Sequence, residues 1–442
     1  MSVAAPIQLR VRGAIADLSP SDRARLLDRS TTSDDAIRTA TAAIVDDVRR
    51  RGDAALRELA ERFDHVSLES LEVPVPQRRR ALADLAPALR ESLERAASNI
   101  ASVHGAARPT PITATPEPGI TIVRRPDPLA RVGVYAPGGR ATYPSSVLMG
   151  AVPARVAGVG EIVLCSPPDA SGSPSSLLLA ASEIAKVDRV FAVGGAGAIA
   201  AMAFGTTSVP RVDRIVGPGN AYVAEAKLQV SGYVSIDSPA GPSELCVIAD
   251  ASTEPRAVAL ELLAQAEHDP SACVIAIVVG DAIASAIANA LAEELTAQPR
   301  RDIISAALAS NGALVTADSL ADAVAFANEY AAEHLALLVA RPDDALPQLR
   351  CAGTIFVGES SSVSFGDYMT GANHVLPTGG LARSYSGLST LDFVRWTTIQ
   401  RVTPAAAASL ADDVARFADA EGLPGHATAA RRAGSTSTLA TR

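Results

Sequence analysis

The sequence predicts an α/β protein in which two parallel-sheet domains carry helical N-terminal and C-terminal extensions. Between residues 145 and 358, short apolar runs alternate with stretches of helical pattern. Such alternation is typical of a parallel sheet with helices on both of its faces. The runs fall into two successive blocks, which indicates two sheets. Residues 33–105 before the blocks and the chain after residue 386 have mainly helical patterns.

The first block begins after an extended, Gly-rich segment at residues 120–139. Its helical stretches are 146–158, 174–186, 196–204 and 220–230, and they precede the apolar runs EIVLCS, RVFAVGG, VDRIVGPGN and YVSID. The second block has the apolar runs SELCVIAD, ACVIAIVVG, GALVTA, LALLVA and GTIFVG, separated by helical stretches at 254–268, 281–297, 318–332 and 342–349. Continuous apolar runs of strand length are typical of strands that are buried on both faces.

Composition argues against several classes of function. The formal net charge of the 442 residues is −9, which argues against nucleic-acid binding and against a polybasic membrane surface. No apolar segment behind a basic start indicates a signal peptide, and the longest apolar runs are much shorter than a membrane span. The four cysteines form no CxxC pair and mostly lie in apolar runs, so we expect buried thiols in a reducing cytoplasm.

A glycine motif follows the second predicted strand of the first block. Residues 195–200, GAGAIA, match the G-x-G-x-x-A pattern of dinucleotide-binding domains, in which a phosphate lies on a helix N-terminus. Asp213 follows at about the distance of the acidic residue in that pattern. The same residues fit a tight strand-to-helix turn, so both interpretations stay open. With the strand–helix alternation, the motif favours two Rossmann-like parallel-sheet domains.

Two further Gly-rich segments follow predicted strands. They are YAPGGRATYPSS, residues 135–146, and GPGNAY, residues 217–222. Ligands of open α/β sheets commonly bind at such strand ends. Tyr135 and Asn220 are the polar candidates for a ligand contact there, and turn formation is the alternative role of each segment.

Histidines and a glutamine indicate a possible metal site. Four of the six histidines lie beside acids, amides or glycines: His268, His334, His374 and His426. No HExxH or paired CxxC is present, so any metal site must be assembled from distant segments. In a helix over 254–268, Gln265 and His268 share a face and can converge on one ion. Glu267 would point about 100° away from His268.

Several long segments resemble the histidinol dehydrogenase family. They are YAPGGRATYPSSVLM, IVGPGNAYVAEAK, DSPAGPSELCVIAD, LLAQAEHDP, YAAEHLAL, FGDYMTGANHVLPTGG and EGLPGHA. They occur in the family's order and extend the resemblance over about residues 30–430. The resemblance implies a homodimeric enzyme that uses zinc and NAD to oxidise L-histidinol to L-histidine. The reaction would proceed in two hydride steps through L-histidinaldehyde.

The resemblance also implies roles for individual residues. One zinc ion per subunit would be held by Gln265, His268, Asp367 and His426. Substrate contacts would come from Ser243, Gln265, His268, His334, Asp367, His374, Glu421 and His426. Glu333 and His334 would be the acid–base pair, and NAD would contact Tyr135, Asn220 and Gly197. In the family the C-terminal tail completes the site of the partner subunit, so Glu421 and His426 would act there.

This resemblance also implies a division of the chain into four parts. We expect an N-terminal arm (1–30), an α/β domain with the zinc and catalytic residues (31–135 plus 244–385), an α/β domain that contacts NAD (136–243) and a helical C-terminal tail (386–442). One residue departs from the family's pattern. Gly197 stands where the family usually has Gln, so a side-chain contact to NAD is expected to be lost.

Glu333 and His334 are adjacent, and neighbouring residues of a strand point to opposite faces. We therefore expect them at the break between helix 318–332 and the next strand. His334 would take a proton as each hydride leaves, and Glu333 would activate the water that adds to the aldehyde. Three alternatives stay open: a cysteine thiohemiacetal as in aldehyde dehydrogenases, a zinc hydrolase without NAD, and a non-catalytic binding protein. The presence of both residues disfavours the last.

Overall fold

The computed structural model describes residues 7–29, 35–138 and 142–435. These residues group into two compact units. The first unit comprises Met1–Ala107 and Leu129–Phe393, and the second comprises Arg108–Pro128 and Val394–Arg442. No helix among the described residues is both long and apolar enough to cross a membrane.

The strands are β1 (Val11–Ala14), β2 (Ile112–Ala114), β3 (Ile120–Pro128), β4 (Arg131–Tyr135), β5 (Glu161–Ser166), β6 (Arg189–Ala192), β7 (Arg214–Val216), β8 (Ser235–Ile236), β9 (Glu244–Ala249), β10 (Cys273–Val279), β11 (Gly312–Ala317), β12 (His334–Leu338), β13 (Thr354–Val357) and β14 (Val394–Val402). The helices are α1 (Pro20–Leu27), α2 (Asp35–Arg51), α3 (Asp53–Leu59), α4 (Val75–Ala83), α5 (Pro87–Ala106), α6 (Pro144–Ala157), α7 (Ser176–Ile184), α8 (Gly195–Phe204), α9 (Ala221–Val230), α10 (Pro255–Ala266), α11 (Asp281–Leu295), α12 (Arg301–Asn311), α13 (Leu320–Tyr330), α14 (Pro342–Ala345), α15 (Val363–Tyr368), α16 (Pro404–Ala420) and α17 (Pro424–Ser435).

The first unit contains two parallel sheets, as the strand–helix alternation predicts. One sheet has the strand order β1-β11-β10-β9-β12-β13 and the other has the order β6-β5-β4-β7-β8. All of their strand pairs are parallel. The predicted α/β class with two Rossmann-like sheets is therefore confirmed.

The apolar runs of the second block are continuous because the six-stranded sheet is covered on both faces. Along β9, Leu245 and Val247 pack with α10, α11 and α12 on one face. Cys246 and Ile248, which alternate with them, pack with α13 on the other face. Every residue of β9 is buried. His334, the first residue of β12, pairs with Leu245, the second residue of β9.

The N-terminal and C-terminal extensions each contribute a strand besides helices. β1 pairs with β11 at an edge of the six-stranded sheet, so the arm belongs to the core of the first unit. In the second unit, β14 pairs antiparallel with β3, which also pairs with β2. The sequence VRWTTIQRV favours this strand because it is rich in β-branched and aromatic residues. After it, α16 and α17 form a helical pair that buries Ala415, Ala418 and Ala427.

A buried ion pair holds the Gly-rich loop after β7. Lys227 on α9 and Asp237 after β8 form the pair, and each side chain is 4% exposed. The Asp237 carboxylate accepts a hydrogen bond from the Gly217 backbone N–H at 2.8 Å. The Lys227 ammonium donates to the Gly217 carbonyl at 3.1 Å. Both backbone groups of Gly217 are thus satisfied inside the protein.

We predict that Lys227→Met strongly destabilises the folded protein. The substitution leaves the Asp237 carboxylate buried without its counter-charge, which lowers the free energy of unfolding by roughly 3–5 kcal/mol. Urea denaturation measures this. The double variant Lys227→Met/Asp237→Asn should recover much of the loss, and equal stabilities of the single and double variants would contradict the argument.

Candidate active site

A pocket in the first unit is formed by the C-terminal end of α10 and by α15. Its lining residues are Glu261, Ala264, Gln265, Glu267, His268, Val363, Ser364, Asp367 and Tyr368. The helix α10 ends at Ala266, ahead of Asp269 and Pro270, because the residue before a proline disfavours helical backbone. The His268 backbone N–H donates to the Gln265 carbonyl at 3.3 Å and continues the turn. The two side chains that were expected to converge therefore line one cavity together with Asp367.

Gln265 is the most unusual lining residue. It is 2% exposed, and its side-chain amide nitrogen has no hydrogen-bond partner among the described residues. Buried amides are normally hydrogen-bonded, because leaving one unpaired is unfavourable. An unpaired amide beside an imidazole and a carboxylate indicates that this end of the pocket is built to receive a ligand.

Glu267 also lines the pocket, although the helical pattern predicts that it points away from His268. The reason is local. Glu267 is the first residue after α10, so the angular step of a continuing helix does not apply between it and His268. Helix ends are the least reliable part of a prediction from periodicity.

Glu333 and His334 lie at the junction of α13 and β12. The helix ends at Tyr330, and Ala331 adopts a left-handed conformation with φ 51°. His334 is the first residue of β12 and Glu333 precedes it. The sharp reversal brings the two side chains together, with His334 Nδ1 at 3.5 Å from Glu333 Oε2. Both side chains are buried.

The contacts of His334 define which ring nitrogen carries a proton. Nδ1 lies 3.1 Å from the carbonyl oxygen of Glu244. A carbonyl oxygen can only accept, so Nδ1 is the protonated nitrogen in the neutral ring. Nε2 lies 3.5 Å from Asp367 Oδ1 and has no hydrogen-bond partner among the described residues. The Nε2 lone pair of the neutral ring thus points toward Asp367, which lines the pocket.

Burial and charge act in opposite directions on these groups. Burial lowers the pKa of His334, but Glu333 and Asp367 outweigh it and raise that pKa to about 10. Burial raises the pKa of Glu333, and the neighbouring His334 only partly offsets this. For Asp367, burial is outweighed by the nearby His334, so the pKa is lowered. Such mutual shifts are common where protons are transferred.

Two residues that the sequence analysis did not single out hold this cluster. Glu244 is the first residue of β9, and its carboxylate pairs with Arg29 at 2.8 Å. Both side chains are almost fully buried, at 2% and 5% exposure. One signal in the sequence could have found Glu244: a glutamate that opens a continuous apolar run must be buried, and a buried carboxylate requires a partner.

His374 and Ser243 lie close to the same cluster. His374 Nδ1 is 3.0 Å from the Asp367 carbonyl oxygen, and burial lowers the pKa of His374 despite the nearby Asp367 carboxylate. Ser243 precedes β9, and its carbonyl accepts from the Cys273 backbone N–H at 3.0 Å. His374 thus remains a neutral ring held by a backbone contact of the pocket residue Asp367.

The residues predicted to contact NAD lie at the carboxyl ends of the five-stranded sheet. Tyr135 is the last residue of β4, and its hydroxyl accepts a hydrogen bond from the Gly195 backbone N–H at 3.1 Å. Asn220 follows β7, and its side-chain oxygen caps α9 through the N–H groups of Tyr222 and Val223. Gly197 lies in α8, where an added Cβ would meet Leu59 at 2.8 Å. This glycine therefore permits close packing of α8 on α3.

Glu421 and His426 lie in the second unit. Glu421 is the first residue after α16, and His426 is in the first turn of α17. Both are exposed. Among the described residues, no group of three or more His, Cys, Asp or Glu side chains could hold a metal ion. Of the four expected zinc ligands, Gln265, His268 and Asp367 line the pocket of the first unit.

Three of the four cysteines are poorly suited to nucleophilic catalysis. Burial raises the pKa of Cys165 strongly, and raises the pKa of Cys246 and of Cys273 to about 12. A nucleophilic cysteine needs a lowered pKa, because the thiolate is the reactive form. These three thiols therefore do not support a thiohemiacetal route.

A sequence profile of the histidinol dehydrogenase family matches residues 27–433. The chain belongs to the histidinol dehydrogenase family. It is 43% identical to the histidinol dehydrogenase of Methanosarcina barkeri over 94% of this chain and 96% of that protein. It is 46% identical to that of Natronomonas pharaonis over 94% and 97% of the two chains. The crystal structure of histidinol dehydrogenase from Elizabethkingia anophelis matches with a TM-score of 0.92 and 33% identity, covering 98% of this chain and 99% of that one.

These similarities confirm the predicted family and the predicted class of enzyme, an oxidoreductase. The profile match at residues 27–433 includes the pocket of the first unit and most of the second unit. The fold of this chain is similar to that of the Elizabethkingia anophelis enzyme over nearly the whole length of both chains.

We predict that metal-free protein keeps His334 protonated at pH 8. Its folded pKa of about 10 lies above the unfolded value of about 6.5. The contribution of His334 to stability is therefore complete below pH ~6.5 and is lost as the pH rises toward ~10. Histidine ¹⁵N NMR of chelator-treated protein checks this, with His334→Gln to assign the signal. A neutral His334 ring at pH 8 would contradict the prediction.

Proposed function

We propose that this chain is a histidinol dehydrogenase that oxidises L-histidinol to L-histidine through L-histidinaldehyde, in two NAD-linked steps with one zinc ion per subunit. Such an enzyme would act in histidine biosynthesis in the cytoplasm. The observation that carries the proposal is the arrangement of His334. Its Nδ1–H is held by the Glu244 carbonyl, and its Nε2 faces Asp367 without a hydrogen-bond partner among the described residues. A base with a fixed tautomer beside a ligand pocket is suited to proton removal from a bound alcohol.

The residues of the pocket fit zinc. Gln265, His268 and Asp367 offer one amide oxygen, one imidazole nitrogen and one carboxylate, which are all donors that zinc accepts. The side chain of Gln265 is 2% exposed and lines the pocket beside His268 and Asp367, so its amide oxygen would be the atom that binds the metal ion. Zinc bound there would hold and orient the imidazole and amine of the substrate. We infer that His426 supplies the fourth ligand.

His334 takes the hydroxyl proton of the substrate in the first step. The ring must be neutral to do so, although its pKa in the absence of metal is about 10. Asp367 would attract the proton on His334 less strongly as a ligand of a metal ion, and this would lower the pKa of His334. Ser243, His374, His334 and the three pocket ligands would contact the substrate, together with Glu421 and His426.

Glu333 acts in the second step. Its carboxylate lies 3.5 Å from His334 Nδ1, and burial raises its pKa. A carboxylate with a raised pKa is a stronger base and can remove a proton from the water that adds to the aldehyde. His334, after releasing the first proton to solvent, takes the hydroxyl proton of the aldehyde hydrate as the second hydride leaves. NAD would accept the hydride in each step, and we propose that Tyr135, Asn220 and Gly197 border it at the carboxyl ends of β4 and β7 and in α8.

The proposed reaction is tested with purified protein, L-histidinol and NAD, followed by absorbance of NADH. We expect two NADH per histidinol consumed and loss of turnover after treatment with a chelator, restored by zinc. No NADH, or turnover that a chelator leaves unchanged, would overturn the proposal. A zinc hydrolase would produce no NADH with any amino alcohol.

Glu333→Gln should separate the two oxidations. The amide cannot act as a base, but it keeps the shape of the side chain, so the first hydride step should continue and the aldehyde should accumulate. A carbonyl-trapping reagent followed by chromatography measures the aldehyde, and wild-type protein without trapped aldehyde is the control. Loss of the first hydride step in single-turnover measurements would show that the role of Glu333 is wrongly assigned.

We also propose a homodimer in which Glu421 and His426 act in the site of the partner subunit. His268→Asn and His426→Asn should each abolish turnover. If the sites are shared, a mixed dimer of the two variants has one site with both histidines intact. After unfolding and refolding of an equal mixture, half of the dimers are mixed, so about 25% of wild-type activity should return. No recovery would show that His426 acts within its own chain.

A further inference from the structure

We propose that Glu244 is a positioning residue for the Glu333–His334 pair and that Arg29 holds Glu244 in its place. The inference rests on the proposed function of that pair. It concerns a buried arrangement that connects the N-terminal arm, the start of β9 and the start of β12. Neither Glu244 nor Arg29 lines the pocket between α10 and α15, so neither is a ligand of the metal or a catalytic residue.

The backbone of Glu244 contacts both catalytic side chains. Its N–H donates to Glu333 Oε2 at 2.7 Å. Its carbonyl oxygen accepts from His334 Nδ1 at 3.1 Å. The backbone N–H of Glu244 thus orients the carboxylate of Glu333. The backbone carbonyl of Glu244 selects the tautomer of the His334 ring. Any movement of the first residue of β9 therefore moves the base and its neighbour together.

The side chain of Glu244 is fixed by donors alone. Oε1 accepts from Arg29 Nε and from the Gly379 backbone N–H, each at 2.8 Å. Oε2 faces Arg29 Nη2 at 3.2 Å and the Glu333 backbone N–H at 3.4 Å. Four donors around one side chain require two acceptor oxygens. Glutamine has the same shape but would place its own N–H₂ group against donors.

Arg29 is held as firmly as Glu244. Its Nη1 donates to the Leu26 carbonyl at 2.9 Å, and its Nη2 donates to the Tyr330 carbonyl at 2.6 Å. The guanidinium lies 3.5 Å from the centre of the Tyr330 ring. Tyr330 is the last residue of α13, so Arg29 also fixes the helix end from which Glu333 and His334 follow. Lysine could keep the charge but not these several directed contacts.

A second buried ion pair shows what a purely structural role would look like. Arg78 on α4 pairs with Glu183 on α7 at 2.8 Å, with side chains 6% and 16% exposed. Arg78 also donates to the Asp188 carbonyl at 3.2 Å. This pair joins two helices and contacts none of Glu333, His334 and Asp367. It is therefore a matched control for the loss of a buried arginine.

The test compares Glu244→Gln and Arg29→Lys with the control Arg78→Gln, all in full-length, zinc-loaded protein. For Glu244→Gln we expect kcat for histidinol oxidation to fall about 10- to 100-fold, because small displacements of a catalytic group have effects of that size. The KM values for histidinol and NAD and the zinc content should stay within about twofold, because the pocket ligands do not contact Glu244. Arg29→Lys should lower kcat by a smaller factor, again with little change in the KM values and the zinc content. Arg78→Gln should lower the melting temperature without changing kcat.

A spectroscopic measurement on the metal-free proteins provides a readout other than activity. The Nδ1–H proton of His334, hydrogen-bonded to a carbonyl, should give a downfield ¹H signal in wild-type protein and in Arg78→Gln. That signal should shift or disappear in Glu244→Gln. If Glu244→Gln does not fold, Arg29→Lys gives the same pair of readouts.

Unchanged kcat and an unchanged His334 signal in folded Glu244→Gln or Arg29→Lys would overturn the inference. So would a fall in kcat that Arg78→Gln reproduces. Failure of the proposed function is distinguishable, since wild-type protein would then form no NADH from histidinol while the His334 signal would still respond to Glu244→Gln.

Discussion

The contact between the first residue of β9 and the α13–β12 junction is the constraint on which the site depends. Glu244 opens a strand whose residues are all buried, and its two backbone polar groups face Glu333 and His334. The register of β12 on β9 follows from the packing of both faces of the sheet. Because a shift of one residue would move every side chain to the opposite face, that packing also determines where the base lies.

The two sheets of the first unit use opposite ends for their proposed ligands. In the five-stranded sheet, Tyr135 and the loop at Gly217 lie at carboxyl ends of strands, where ligands of open α/β sheets usually bind. In the six-stranded sheet, Glu244 and His334 are the first residues of their strands. The α13–β12 reversal and the end of α10, which runs antiparallel to the strands, bring functional groups to that amino edge. Buried carboxylates and a buried imidazole there are stabilised only as a mutually paired set.

Much of the fold could be predicted from the sequence, because apolar runs of strand length alternate with helical patterns. The spacing of Gln265 and His268 predicted that they share a face of the helix, and both line one cavity. The break before LALLVA predicted the place of Glu333 and His334. These features are local, since each depends on residues within one turn of helix or one loop. The expected roles of the other site residues came from the resemblance of several long motifs to the histidinol dehydrogenase family.

Other features depend on contacts between distant segments and could not be predicted in this way. The pairing of Arg29 with Glu244 joins residues 215 positions apart. Glu267 lines the pocket because α10 ends one residue before it, and periodicity locates helix ends poorly. The strand at Val394–Val402 forms because β3 offers it a partner, although the tail has a helical pattern elsewhere. The sequence around Gly197 matches a nucleotide-binding motif, but an added Cβ at this position would meet Leu59.

The central claim is that the pocket at the end of α10 binds zinc through nitrogen and oxygen donors and leaves the cysteines out. X-ray absorption spectroscopy of the zinc-loaded protein, with and without L-histidinol, tests this most directly. We expect a first shell at about 2.0–2.1 Å composed only of nitrogen and oxygen, with added imidazole scattering when the substrate is present. Scattering from sulfur at about 2.3 Å, or a zinc shell that L-histidinol leaves unchanged, would contradict it.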